Sequence, residues 1–341
     1  MWTLARARLL AGDIGGTKTN LGLFEGREGR LEPLLQRQYH SGSFSGLEPM
    51  IRDFLKQAPG TIDAAAFGIS GPVVDGHVET PNLPWSIAAK DLQSALQIPA
   101  LALINDLEAM AIGATTLAES AFAALNAGQA RLKGDRVVLA AGTGLGEAGL
   151  VWDNQGYRVI PSEGGHADFA PRNELEWQLC HFLIHKYGRA SYERVLSGPG
   201  LVNLYSFFRE RSPTQEPEGL RTALANGDPA AAITQAALEG RDPVSQEALN
   251  LFVSIYGAEA GNLALKFLAT GGVYIGGGIA LKILSKLQDG AFMKAFQDKG
   301  RLSALLSSFP VKVILDPLTP LYGAADAAAT LLNDSLSKTT V

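Results

Sequence analysis

The chain has 341 residues, 46% of them hydrophobic and 18% charged, with a net charge of −5. That length favours two domains, and the acidic balance argues against nucleic acid or an anionic membrane surface as the main partner. The single cysteine, Cys180, excludes an intrachain disulfide and a thiolate zinc cluster. No apolar run reaches the roughly 18 residues of a membrane span, and the first ten residues read as a lead-in to a strand, so the cytoplasm is expected.

Residues Leu9 to Glu25 read as strand, glycine turn, strand. The turn is Asp13-Ile14-Gly15-Gly16-Thr17. Glycines let backbone approach a ligand and aim consecutive N–H groups at one spot, which suits anions and phosphate above all. Asp13 is placed to serve magnesium, which takes one or two carboxylates and keeps several waters. A plain hairpin turn is the alternative. Ala64 to Ile69 is a short buried strand ending in Ser70-Gly71-Pro72, and Leu101 to Ile104 is another, closed by Asn105 and Asp106 before a helix from Leu107 to about Leu117. Open α/β sheets place ligands at the carboxyl ends of strands. Asp106 there is a helix cap or a general base on a substrate hydroxyl; local sequence favours the cap.

Arg136 to Trp152 repeats the strand–glycine–strand pattern, with the turn Gly142-Thr143-Gly144-Leu145-Gly146. A dinucleotide-binding fingerprint needs a following helix and an acidic residue about 20 positions on. Here a strand follows, to Trp152, and then the turn Asp153-Asn154-Gln155-Gly156, so a hairpin is expected. Two such turns in one chain suggest a pair of jaws on a polyphosphate. Ser162 to Phe169 packs two acids and His166 around Gly164-Gly165. With no cysteines nearby, Glu163 and His166 suit sugar hydroxyls better than zinc.

A helix is expected from Asn173 to Gly188, carrying His181 and His185 at i, i+4. The zinc-protease glutamate is missing, with Phe182 in its place, so both histidines are structural or solvent-facing. His40 and His77 have no such context. Further helices are expected over Gly200–Arg211, Pro243–Leu268 (with Gly257 or Gly261 as a packing glycine), Ala280–Leu287 and Tyr322–Leu332, with an exposed loop at Pro213–Glu218. Strands are expected at Val273–Ile275 and Val311–Leu315. The first of these runs into Gly276-Gly277-Gly278, which serves either ligand approach or strand–helix packing. Alternating strands and helices make the class α/β. A small domain is expected over 1–117 plus 320–341 and a large one over 118–319.

These segments together resemble the bacterial ATP-dependent glucokinases of the type without a zinc motif. The resemblance runs nearly end to end, through LLAGDIGGTKTNLGLF, INDLEAMA, AAGTGLGEAGLV, PSEGGHADFAP, ERVLSGPGLVNLY, GNLALKFLATGGVYIGGGI and PLYGAADAA. It implies an actin-like ATPase fold of two ribonuclease-H-like domains with an interdomain cleft. It implies ATP and Mg2+, with Asp13 holding the metal through water. Gly15, Gly16 and Thr17 would form the first phosphate element, Gly142, Thr143 and Gly144 the second, and Gly276, Gly277 and Gly278 would lie near the adenosine. Asn105, Asp106, Glu163, His166 and Glu193 match the family's glucose ligands, with Asp106 its general base, and Asn82 falls near a segment close to the sugar. The implied reaction is phosphorylation of glucose at the 6-hydroxyl, the first step of glycolysis, by a cytoplasmic homodimer with no nucleic-acid or membrane partner.

One departure is Lys18-Thr19-Asn20, which looks more like the repressor–ORF–kinase sugar kinases. Those usually carry a cysteine-rich zinc motif where this chain has Phe169-Ala170-Pro171. Three rival readings stand beside the first. They are a kinase for another hexose such as mannose or an N-acetylated hexosamine, a non-catalytic sugar sensor, and a chaperone-like or filament ATPase. The sensor would need a helix-turn-helix ahead of Asp13, and the ATPase would not need the Glu163–His166 cluster.

Overall fold

The computed structural model describes residues 2, 4, 6–80, 83–154 and 156–339. The first half runs β1 (Ala7–Ile14), β2 (Lys18–Arg27), β3 (Arg30–His40), α1 (Leu47–Leu55), β4 (Ala64–Ile69), β5 (His77–Glu79), β6 (Ser86–Ala88), α2 (Ala89–Leu96), β7 (Ala100–Asn105) and α3 (Asp106–Thr116). Then come β8 (Phe122–Asn126), β9 (Arg136–Ala141), β10 (Leu145–Trp152), β11 (Tyr157–Ser162), α4 (Glu174–Tyr187), α5 (Gly198–Arg209), α6 (Glu218–Asn226), α7 (Pro229–Leu238) and α8 (Pro243–Phe267). The chain closes with β12 (Gly272–Gly276), α9 (Gly277–Lys282), α10 (Leu284–Leu287), α11 (Ala291–Gln297), α12 (Ser303–Ser307), β13 (Val311–Ile314) and α13 (Thr319–Thr339).

One sheet has the order β3-β2-β1-β4-β7, the other β11-β10-β9-β12-β13-β8. In the first, β1–β2 and β2–β3 are antiparallel, while β1–β4 and β4–β7 are parallel. In the second, β9–β12 and β12–β13 are parallel and β8 adds an antiparallel edge. Both sheets therefore place a hairpin-connected run on one side and crossover strands on the other. The chain divides into two compact units. One is Met1–Ala121 with Leu150–Pro161 and Asp316–Val341; the other is Phe122–Gly149 with Ser162–Leu315.

In the first unit, apolar residues line both faces of the sheet, as strands covered by helices on each side require. Leu10, Leu21, Leu23 and Phe67 pack with Met50, Ile51 and Phe54 of α1 and Leu92 of α2. Leu9, Ala11, Phe24 and Ala66 pack with Leu321, Ala324, Ala325 and Ala328 of α13. α3 reaches this layer through glycines: a Cβ on Gly113 would strike the Thr319 carbonyl, and one on Gly323 the Ala109 carbonyl. The second unit has one large core, in which Val137, Leu139, Val273 and Ile275 of the sheet meet Phe252, Tyr256 and Leu263 of α8.

Both glycine turns are hairpins, as their flanking residues lead one to expect, and the long helix falls at Pro243–Phe267. Gly257 and Gly261 both act as packing glycines, facing the carbonyls of Phe292 and Phe296 on α11. The helix expected over Ala280–Leu287 is instead two short pieces that start at Gly277 and break at Ile283. β3, β5, β6, β8, β11, α1, α2, α6, α7, α11 and α12 had no counterpart among the elements expected from sequence. β3 is a largely exposed edge strand with little apolar alternation to mark it.

Candidate active site

The first turn closes tightly, with the Gly15 amide donating to the Lys18 carbonyl at 3.0 Å. Ser41 braces it from outside: its hydroxyl donates to Gly15 O at 2.8 Å and its amide to Thr17 O at 2.9 Å. The amides of Gly16 and Thr17 lie outside the β1–β2 ladder and outside the turn bonds among the described residues, which leaves donors for an anion. Asp13, near the end of β1, accepts a hydrogen bond from Asn20 Nδ2 at 3.2 Å, and Gln38 Nε2 in turn donates to Asn20 Oδ1 at 3.0 Å. Burial pushes the Asp13 carboxyl up to about 6, an effect that the Asn20 bond opposes.

β1, β4 and β7 end level with one another, Ile14 opposite Ile69 and Ile69 opposite Asn105. The turn after β1 and the end of β7 are thus two strand spacings apart on one sheet edge, about 9–10 Å. Asn105 is the N-cap of α3: its Oδ1 accepts from Leu107 N at 2.9 Å and its Nδ2 donates to Gly71 O at 3.1 Å. The capping role that local sequence favours for Asp106 therefore rests on the residue before it. Asp106 is the first helical residue, with Oδ1 also accepting from Leu107 N at 2.9 Å. Gly68 on β4 makes room for this arrangement, since a Cβ there would lie 2.8 Å from the Ala109 Cβ. Asn82 lies outside the described residues.

In the second unit the turn after β9 is closed by Gly142 N donating to Gly144 O at 2.8 Å. Gly198 N, at the start of α5, donates to Gly142 O at 2.8 Å. Thr143 is exposed, and Gly142 has open space where a side chain would be. Gly276 ends β12 beside Ala140 of β9. Gly277 has φ +86, and a Cβ on it would collide with the Ala141 carbonyl, so the packing alternative holds for this glycine. Gly278 has open space around it. Tyr256 ties the two strand ends: its hydroxyl accepts from Ala141 N at 3.2 Å and faces Leu139 O at 3.3 Å and Gly276 O at 3.4 Å. No local pattern marks it, because a tyrosine within a buried apolar helix reads as core.

Glu163 opens the 3-10 turn Gly164–His166, with His166 N donating to Glu163 O at 3.0 Å. His166 Nδ1 lies 3.9 Å from Glu193 Oε1. Glu193 is held by β10, whose Leu145 N donates to Oε2 at 3.1 Å. The two segments are stitched by Tyr192 N to Ala167 O at 3.0 Å and Phe169 N to Ala190 O at 3.0 Å. Ser197, also unmarked in sequence, caps α5 and donates to Glu193 O at 2.7 Å. The second unit thus brings Glu163, His166 and Glu193 together, an array of hydroxyl acceptors and donors. Its second glycine turn is adjacent, since a Cβ on Gly144 would lie 2.5 Å from Glu193 Oε2. His181 and His185 are exposed on α4, away from this cluster in sequence and hydrogen bonding.

The sequence model of the Glucokinase family matches residues 10–331. A glucokinase of Nostoc sp. (strain PCC 7120) is 45% identical over 339 residues, covering 95% of this chain and 99% of the relative. The crystal structure of a glucokinase from an Antarctic psychrotroph superposes with a TM-score of 0.82 at 30% identity, covering 96% of this chain and 99% of that one. A ROK family glucokinase from Streptomyces griseus, crystallised with glucose and AMPPNP, shares the fold with a TM-score of 0.64 at 21% identity, covering 95% and 99%.

Proposed function

This chain belongs to the glucokinase family, and we propose that it transfers the terminal phosphoryl group of ATP to the 6-hydroxyl of glucose, with Asp106 as general base. The observation that carries the reading is the level ending of β1, β4 and β7, which sets a donor-rich glycine turn and a carboxylate on one sheet edge. Asn105 and Asp106 are assigned to the sugar hydroxyls, as are Glu163, His166 and Glu193. Asn82 is carried in the same role from the family resemblance alone. The turn Gly15-Gly16-Thr17, through the amides of Gly16 and Thr17, and the turn Gly142-Thr143-Gly144 take the phosphates, and Gly276 to Gly278 take the adenosine side.

Asp13 fits a hydrated magnesium ion. It is a buried carboxylate whose burial is offset only by a neutral amide, and magnesium sites of this kind use one carboxylate through water. When bound, the ion neutralises charge on the phosphates. The protein's own part is positioning and charge stabilisation, the main sources of rate in phosphoryl transfer. Asp106 accepts the hydroxyl proton as the oxygen attacks. The Leu107 amide donates to its Oδ1 at 2.9 Å at the start of α3, which holds the carboxylate in place.

Asp106→Asn tests the assignment. Turnover should fall about 10²–10⁴-fold, the usual weight of a general base, while glucose still binds, as isothermal titration would read. Near-normal turnover removes Asp106 from the role. Initial rates over a hexose panel separate glucose from mannose or an N-acetylated hexosamine as the preferred substrate. A cytoplasmic location fits, and among the described residues no helix is long and apolar enough to cross a membrane.

We also propose a homodimer formed through α4. Trp177 is 54% exposed and Ile184 46%, on one face with His181. Trp177 and His181 border a cavity of about 610 Å³ that Glu174, His185 and Arg211 help to line. Glu174 stands at the N-terminal end of the helix and His185 in its last turn. Two such helices crossing antiparallel match acid to base at both ends, as a two-fold interface requires.

A further inference from the structure

Beneath the loop that carries Glu163 and His166 lies a buried acid with no part in the proposed chemistry. Glu147, on β10, is 1% exposed, and its Oε1 has no hydrogen-bond partner. The other oxygen lies directly under Gly164: a Cβ there would strike Glu147 Oε2, with Cδ at 2.9 Å. Gly165 rests in the same way on the Leu145 carbonyl, whose own residue donates to Glu193. The start of β10 is therefore the floor on which both sugar-facing segments are seated.

We propose that Glu147 is a positioning residue for glucose binding: in its protonated form it lets the Gly164–Gly165 turn sit flat on β10, and its ionisation lifts that turn. This rests on the assignment of Glu163, His166 and Glu193 to the sugar. The physical cause is the orphaned oxygen. A neutral carboxyl tolerates a dry contact, whereas a buried carboxylate needs water or a donor. Raising the Gly164–Gly165 turn off β10 makes room for that water.

The charged and titratable groups facing Glu147 fix the direction. α8 presents Glu259, fully buried, whose negative charge acts on Glu147, and Lys266, whose Nζ is 3.5 Å from Glu259 Oε1. Asn262 bridges Glu259 Oε2 at 2.8 Å and the Tyr192 hydroxyl at 3.1 Å, and Lys299 Nζ donates to Asn262 Oδ1 at 2.6 Å. Tyr256, also on α8, senses the Glu147 charge, and Ser162 Oγ lies 3.0 Å from the Cβ position of Gly164. Glu163, His166 and Glu193 sit above. Burial, then the Glu259 charge, push the Glu147 carboxyl up to about 7, with Lys266 opposing.

The test is steady-state kinetics of the whole protein from about pH 6 to pH 8.5, a window that spans such a group. The KM for glucose should rise by about five-fold or more across that window, with kcat and the KM for ATP moving far less. In Glu147→Gln the rise in glucose KM should vanish, because the amide keeps the shape and cannot ionise. Parallel KM profiles for wild type and variant would overturn the proposal. If Glu147→Gln does not fold, Glu259→Gln decides instead: removing the neighbouring charge should move the rise in KM to lower pH, and an unmoved rise counts against Glu147. Glu193→Gln separates the two layers of argument. It should raise glucose KM at every pH, and if it does not, the sugar-site assignment fails whatever Glu147 does.

Discussion

A buried carboxyl and a strained backbone angle make the sharpest demands at the scale of single residues. Glu147 binds its proton more tightly folded than unfolded, since its native value of about 7 exceeds the ordinary glutamate value of 4.5. Its contribution to stability is thus complete below about pH 4.5 and is lost as pH rises through about 7. Melting temperatures taken across that interval should fall more for wild type than for Glu147→Gln; equal slopes would contradict the burial argument. Gly277 is the second case. Its φ of +86 and its contact with the Ala141 carbonyl leave no room for a methyl group. Gly277→Ala should cost at least about 1–3 kcal/mol, the usual weight of a non-glycine residue held in that region. It should also raise the KM for ATP rather than glucose, since the change falls at the proposed adenosine side. An unaltered denaturation midpoint would show that the turn relaxes freely.

Between elements, small residues set how closely helices approach. α8 meets α11 where Gly257 faces the Phe292 carbonyl and Gly261 the Phe296 carbonyl. Gly257→Ala drives a methyl into backbone and should destabilise by about 1–3 kcal/mol, the range for overpacking. Gly219, in the first turn of α6, has nothing within 4 Å of its Cβ position, and Gly219→Ala should be neutral or mildly stabilising. Urea titration of the pair reads the contrast, and similar midpoints would mean that α11 yields without cost. The same logic seats α3. Gly113 and Gly323 bring it against α13, and that seating holds Asp106 at the sheet edge.

For the whole molecule, the proposed association is the property most open to direct measurement. Trp177→Asp puts a charge at the centre of the exposed α4 face and should convert a dimer to a monomer in sedimentation velocity, with hexokinase activity per chain retained. A wild-type protein that sediments as a monomer at micromolar concentration excludes the α4 interface outright. The α4 face also clarifies His181 and His185. Their i, i+4 spacing invites a metal reading, but they flank Trp177 and Ile184 on the side of the helix opposite buried Leu179, Cys180 and Leu183.

Local sequence was enough for whatever depends on neighbours along the chain. The two glycine hairpins, the α/β alternation, the long helix at Pro243–Phe267 and the strand–Asn105–Asp106–helix junction all follow from apolar runs, glycines and capping residues within a few positions. Membership of the family was legible because whole segments, such as PSEGGHADFAP, repeat a rare combination. Tertiary structure decided the rest. The helix cap fell to Asn105, and strand register set Asp106 on the same sheet edge as the first glycine turn. Glu193 reached His166 only because two loops far apart in sequence are laced together, and no local pattern encodes that. Glu147 and Tyr256 look like interior residues of a strand and a helix; their surroundings come from segments distant in sequence. Hydrophobic periodicity records which face of an element is buried, not which element will cover it, and the properties of a buried polar group are set by the covering element.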